Sequence, residues 1–145
     1  MNKPNTKLNA AIIVIGNEIL SGRTRDINVL TISNWLNELG VKLEEVRIIP
    51  DIQKTIVKTI KEVRKKFKYI FTTGGIGPTH DDITSESISK AFNVSYCFHP
   101  KAYKMLENYY GKENFNIGRK KMAKMPKNSS LIINPSSAAP GFNIK

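Results

Sequence analysis

The sequence predicts an α/β fold of three layers, α/β/α, built on a mostly parallel sheet. Two observations carry that expectation. Apolar runs of strand length alternate along the chain with stretches of helical periodicity, an order that places helices on both faces of a parallel sheet. Two of the strand-like runs, at residues 10–15 and 69–72, lead directly into glycine-bearing loops, at Gly16 and at Gly74. In open α/β sheets, loops at the carboxyl ends of strands are where ligands gather.

The elements follow in order. Residues 10–15 are continuously apolar and read as a fully buried strand. Val29, Ile32, Leu36 and Leu39 then form one helical face, stopped by Gly40 in the usual position after a helix. Residues 41–49 are rich in β-formers, and Asp51 is placed to cap a helix whose apolar stripe is Ile52, Ile56, Ile60, Val63 and Phe67. The strand at 69–72 and its glycine loop lead to a short helix through Ile88, Ala91 and Phe92. Residues 94–98 suggest another strand, and Pro100 opens a helix running to about Tyr110, where Gly111 stops it. Residues 119–125 are expected to be helical, 131–133 a strand and 134–141 a loop.

A chain of 145 residues has the length of one ordinary domain, and no boundary or internal repeat divides it, so 1–145 is read as a single domain. Its hydrophobic fraction of 40% and charged fraction of 24% are globular values rather than those of a disordered chain. The apolar run at 10–15 is too short to span a membrane and lacks the flanks of a signal peptide. Cys97 stands alone and has no partner for an internal disulfide, which with the absence of a leader points to the cytoplasm. The net charge of +11 is concentrated at 61–68 and 119–127, each on an amphipathic stretch. Apart from Phe67, which belongs to the apolar stripe of its helix, neither cluster contains an aromatic, which argues against single-stranded nucleic acid and for a solvated face or attraction of anionic ligands.

The densest chemistry lies in Thr72-Thr73-Gly74-Gly75-Ile76-Gly77-Pro78-Thr79-His80-Asp81-Asp82-Ile83-Thr84. Glycines let a ligand approach the backbone closely, and the N–H groups at a following helix start favour negative charge, so the stretch is suited to phosphate. Asp81 and Asp82 would repel a bare phosphate but would suit a divalent cation such as magnesium bridging to it. Read for structure alone, Asp82 and Thr84 are helix caps, and Asp51 likewise. His80 either bonds the ligand or is a polar loop residue, whereas His99, before Pro100, reads as structural. The loop holding Gly16, Glu18, Ser21 and Gly22 matches neither a dinucleotide fingerprint nor a phosphate-binding P-loop, and by composition is an ordinary strand-to-helix turn.

This long motif resembles the molybdopterin-binding domain family, in the branch of the CinA N-terminal domain and of the related domain of FAD synthase. Gly16-Asn17-Glu18-Ile19-Leu20-Ser21-Gly22, Ile49-Pro50-Asp51, Asn134-Pro135 and Ala139-Pro140-Gly141-Phe142 agree in order and spacing, so the resemblance covers nearly the whole chain. It implies a small phosphorylated ligand, ADP-ribose, another dinucleotide or molybdopterin, bound by Gly16, Glu18, Ser21, Gly22, Thr73, Gly74, Gly75, Gly77, Pro78, Thr79, His80, Thr84 and Ser137. Asp82, with Asp81, is implied as catalytic, and Asp51 and Asp82 as sharing a metal ion. The CinA branch implies pyrophosphate hydrolysis and the Mog branch a role in molybdenum cofactor synthesis; a binding module without catalysis is the third reading. Relatives form dimers or trimers, which implies a homo-oligomer. Two departures stand out. Ser136, Ser137 and Ala138 occupy positions where many relatives have Val, Gly and Thr, and the family pattern of a further strand and helix past Phe142 is not reached, so the fold is expected to be shortened at its C-terminus with an open sheet edge.

Overall fold

A computed structural model of the protein describes residues 8–145; the first seven positions of the expected 1–145 domain lie outside the described residues. At its centre is a three-stranded parallel sheet in the order β2-β1-β3, made of β1 (Asn9–Ile15), β2 (Lys42–Ile49) and β3 (Tyr69–Thr73). β1 runs down the middle, paired from Asn9↔Lys42 to Ile15↔Ile49 on one side and from Ala10↔Tyr69 to Val14↔Thr73 on the other. Its Ala-Ala-Ile-Ile-Val-Ile sequence is buried on both faces, which is why it reads as an unbroken apolar run rather than an alternating one.

A single helical turn, α1 (Asn17–Leu20), follows β1, whose two faces build two cores. Ala11, Ile13 and Ile15 pack with Ile49 against Ile56, Ile60 and Val63 of α3 (Gln53–Val63) and Ile88 and Ala91 of α4 (Thr84–Phe92). On the opposite face Ala10 packs with Leu36 of α2 (Asn28–Glu38) and with Val41, flanked by Ile32, Leu43 and Phe71. The α/β/α layering and the parallel sheet are thus as expected. The α2 side is thin. Of the expected face of α2, Leu36 alone is buried, Val29 and Ile32 are half-buried, and Leu39 is 54% exposed because it has already left the helix as its C-terminal cap. Gly40, at φ 69°, makes the turn into β2 as expected.

The C-terminal half departs from a purely parallel plan. β4 (Tyr96–Phe98) and β5 (Lys124–Pro126) form an antiparallel ribbon, as do β6 (Ser130–Ile132) and β7 (Gly141–Asn143). The helix expected at 119–125 is α6 (Ile117–Lys121) and stops early: Lys124, Met125 and Pro126 are drawn instead into register with Phe98, Cys97 and Tyr96. Pairing across the fold overrides a local helical pattern there, and Pro126 could not have continued a helix. In sequence α5 (Pro100–Tyr110) lies between β4 and α6, and it is capped by the His99 side chain, which accepts from the Ala102 N–H, so the structural reading of His99 holds. Ala102, Leu106, Phe115, Met122, Ala123 and Met125 form a separate core for this half. No helix among the described residues is long and apolar enough to cross a membrane.

Candidate functional site

The parallel sheet brings three loops to one edge. β1, β2 and β3 all end there, and short contacts stitch their extensions together. The Gly16 N–H donates to the Ile49 carbonyl at 3.0 Å, and the Asn17 N–H donates to Asp51 Oδ2 at 3.0 Å. Asp51 is therefore not the cap of α3, whose N-terminal flanking residue is Ile52 and which has no side-chain cap; its Oδ2 accepts across the edge, from the loop after β1. Gly74, at φ 89°, lies so close to the end of β1 that a Cβ would stand 2.0 Å from the Ile15 carbonyl oxygen. Only glycine can pass there, for both the dihedral and the contact.

The glycine loop is held from inside by one buried residue. Thr84 is 0% exposed; its Oγ1 donates to the Gly74 carbonyl at 2.9 Å and its N–H to the Gly75 carbonyl at 3.0 Å. Thr84 is thus no cap but a two-point anchor. A trans peptide points its N–H opposite to its C=O, so turning these two carbonyls into α4 turns the N–H groups of Gly75 and Ile76 the other way. Neither these nor the Gly77 N–H has a protein acceptor among the described residues. A row of outward amides beside a helix start is an anion-binding concavity. Thr73, at the end of β3, adds a buried hydroxyl with no hydrogen-bond partner.

Asp82 is equally unlike a cap. Its Oδ2 accepts from the Thr79 N–H at 2.8 Å and the Thr79 hydroxyl at 2.7 Å, closing the loop on itself, while the residue flanking α4 is Ile83 and makes no side-chain cap. Gly77 packs against this carboxylate: a Cβ would be 2.8 Å from Oδ2. Asp81 and His80 point into solvent and pair with each other, Nε2 to Oδ1 at 3.1 Å. No group of three or more His, Cys, Asp or Glu residues is gathered for a metal among the described residues.

The remaining expected residues are placed less centrally. Glu18 folds its carboxylate back over Gly16, within 2.6 Å of where a Cβ would be. Ser21 donates to the Glu18 carbonyl at 3.3 Å and accepts from Arg23, and Gly22 turns the chain at φ 73°. Ser137 accepts from Asn134 Nδ2 at 2.8 Å in a turn that also ties the Ser136 and Ser137 N–H groups to Asn134 Oδ1. It lines a crevice with Met105 and Tyr109 of α5, and no hydrogen bond joins it to the glycine loop. Sequence reasoning missed Ile76, whose backbone rather than side chain matters, and the neighbours that α6 brings to Pro78 and Thr79. A hydrogen bond spanning 42 residues leaves no local signal.

With the geometry in view, residues 11–145 match the family model described as "Probable molybdopterin binding domain". A protein of Sulfurisphaera tokodaii is 42% identical over 93% of this chain and 52% of its own length. A CinA-like protein of a Sulfurihydrogenibium species is 36% identical over 93% of this chain and 34% of its own. This chain spans about half the length, or less, of the curated relatives it matches. Among solved structures, the protein CinA with unknown function from Thermoplasma acidophilum superposes with a TM-score of 0.88 at 32% identity, over 93% of this chain and 80% of that one. The tungsten cofactor synthesizing protein MoaB from Pyrococcus furiosus shares the fold, with a TM-score of 0.55 at 22% identity over 90% and 76%.

Proposed function

This chain belongs to the molybdopterin-binding domain family, and from that premise we propose that it binds a phosphorylated ligand of nucleotide or pterin type over the Gly74–Asp82 loop and hydrolyses the pyrophosphate of ADP-ribose or a similar dinucleotide. The observation that carries the binding step is the outward pair of N–H groups at Gly75 and Ile76, set by the double anchor of Thr84 on the Gly74 and Gly75 carbonyls, with the Gly77 N–H beside them also without a protein acceptor among the described residues. The hydrolytic step rests on the adjacent carboxylates Asp81 and Asp82 and on what the motif's resemblance to the CinA branch implies.

Asp82, with Asp81 or Asp51, would hold a divalent cation of the magnesium type. Such an ion supplies neutralisation of pyrophosphate oxygens and a more acidic water. The chain's own part is to present amides to the charge that develops on the phosphoryl oxygens, where fixed dipoles need no reorganisation. Asp82 has one oxygen engaged by Thr79, so the carboxylate is oriented before any ligand arrives.

A second reading, molybdopterin binding or its adenylylation in cofactor synthesis, is favoured by the family description and by the likeness of fold to MoaB. A binding or assembly module without turnover is the third. Self-association belongs to the same proposal, because α2 and β2 leave Leu30, Trp35, Val46 and Ile48 at least 41% exposed. One experiment separates the readings: titration calorimetry and turnover with ADP-ribose, FAD and molybdopterin, each with and without magnesium, alongside hydrogen exchange of residues 73–82. Magnesium-dependent cleavage of a dinucleotide with protection of the loop is the expected result. Tight binding of molybdopterin alone moves the conclusion to the second reading, binding without turnover to the third, and protection elsewhere in the chain refutes the site.

A further inference from the structure

Helix α6 carries three consecutive cations, Arg119, Lys120 and Lys121, and the structure sends them in different directions. The Arg119 guanidinium lies 4.2 Å from the centre of the Tyr110 ring and donates to the Asn114 carbonyl at 2.6 Å. The Lys120 ammonium lies 5.7 Å from the centre of the Phe115 ring. Both serve α6 and its own neighbours. Lys121 reaches across the molecule instead, its Nζ donating to the Thr79 carbonyl at 2.6 Å. Three residues before it, Gly118 approaches the same loop so closely that a Cβ would stand 2.8 Å from the Pro78 carbonyl oxygen. Two independent contacts therefore seat α6 against Pro78 and Thr79.

Thr79 is consequently gripped from both sides, with its N–H and hydroxyl on Asp82 and its carbonyl on Lys121. The Lys121 ammonium has three donors, of which one is used here. It forms no ion pair with a carboxylate among the described residues, so its charge is directed but not neutralised. We infer that Lys121 is a positioning residue for the anion-binding loop and supplies the cationic contact to the phosphate group of its ligand. The ligand half of this inference rests on the phosphorylated-ligand reading above; the loop-positioning half does not.

The test compares wild type with Lys121→Met, Lys121→Arg and, as a control for charge alone, Lys120→Met. Hydrogen exchange of residues 77–82 is read in the ligand-free protein, and the Kd for ADP-ribose is read at low and high salt. Lys121→Met is expected to speed exchange in that segment and to raise the Kd about tenfold, the loss ordinary for a hydrogen bond to a charged group. The deficit should shrink as salt screens the interaction. Lys121→Arg, which keeps the charge, should recover much of the affinity, and Lys120→Met should leave both readouts unchanged. Loop exchange and Kd unchanged in Lys121→Met, or an equal loss in Lys120→Met, overturns the assignment. If wild type binds none of ADP-ribose, FAD and molybdopterin while Lys121→Met still loosens the loop, the phosphorylated-ligand reading falls and the positioning role stands.

Discussion

Asp82 accepts two hydrogen bonds from Thr79 on one carboxylate oxygen, from the N–H at 2.8 Å and from the hydroxyl at 2.7 Å. The loop between them is thereby tied down without using either residue as a helix cap, and the carboxylate is presented beside the outward amides of the glycine segment.

Asp82→Asn separates the carboxylate's two tasks. An amide oxygen can still accept from Thr79, so the loop should keep its shape and the melting temperature should barely move, whereas the charge is lost. Magnesium-dependent turnover of ADP-ribose is expected to fall by orders of magnitude, read by product release at saturating metal. Asp82→Ala should add a stability loss of about 1 kcal/mol as Thr79 loses its acceptor. If Asp82→Asn unfolds the protein and leaves activity per folded molecule intact, the carboxylate is structural.

Two glycines with similar positive φ should respond very differently to alanine. At Gly22, φ 73°, nothing lies within 4 Å of the new Cβ, so Gly22→Ala carries only the left-handed backbone strain, about 1 kcal/mol. At Gly74 the Cβ would stand 2.0 Å from the carbonyl oxygen of Ile15, in a buried strand that cannot move aside. Gly74→Ala should cost more than about 3 kcal/mol or prevent folding, and urea unfolding midpoints measure both. Equal losses at the two positions would refute the close approach of the loops.

Alkaline stability should depend on Tyr96. Burial, reinforced by the Glu86 carboxylate, pushes its phenol up to about 12 from the ordinary 10.0. In the unfolded chain the hydroxyl ionises near 10.0 while the folded form still holds its proton, so this contribution is fully present below that pH and is lost as pH rises toward 12. Tyr96→Phe should flatten the fall of melting temperature with pH in this window. An unaltered slope would mean that the phenol is well hydrated.

Self-association is expected from the exposed apolar residues of α2 and β2, of which Trp35 is 50% and Ile48 45% exposed. Sedimentation velocity should show a species heavier than 16.3 kDa at micromolar concentration, and Trp35→Lys with Ile48→Lys should weaken it. A wild-type monomer at high micromolar concentration would refute self-association.

What the sequence determined by itself was whatever a local pattern can state. β1 is legible because six consecutive apolar residues suit a strand buried on both faces, α3 because Ile56, Ile60 and Val63 recur at helical spacing, and the glycine loop because its glycines and carboxylates are contiguous. From these, the layered α/β plan and the edge where the loops meet follow. Only the tertiary structure decided where each polar group is directed. Asp51, Asp82 and Thr84 all read as caps in one dimension, since short polar residues before helices usually are. In three dimensions Asp51 reaches the Asn17 amide, Asp82 closes on Thr79, and Thr84 turns two carbonyls inward. Lys121 lies in a basic run that looks like a solvated face, yet it bonds a carbonyl 42 residues away, and Lys124, in a helical pattern, is captured by a strand. Such contacts depend on which segments the packed cores bring side by side, and no window of neighbouring residues carries that information.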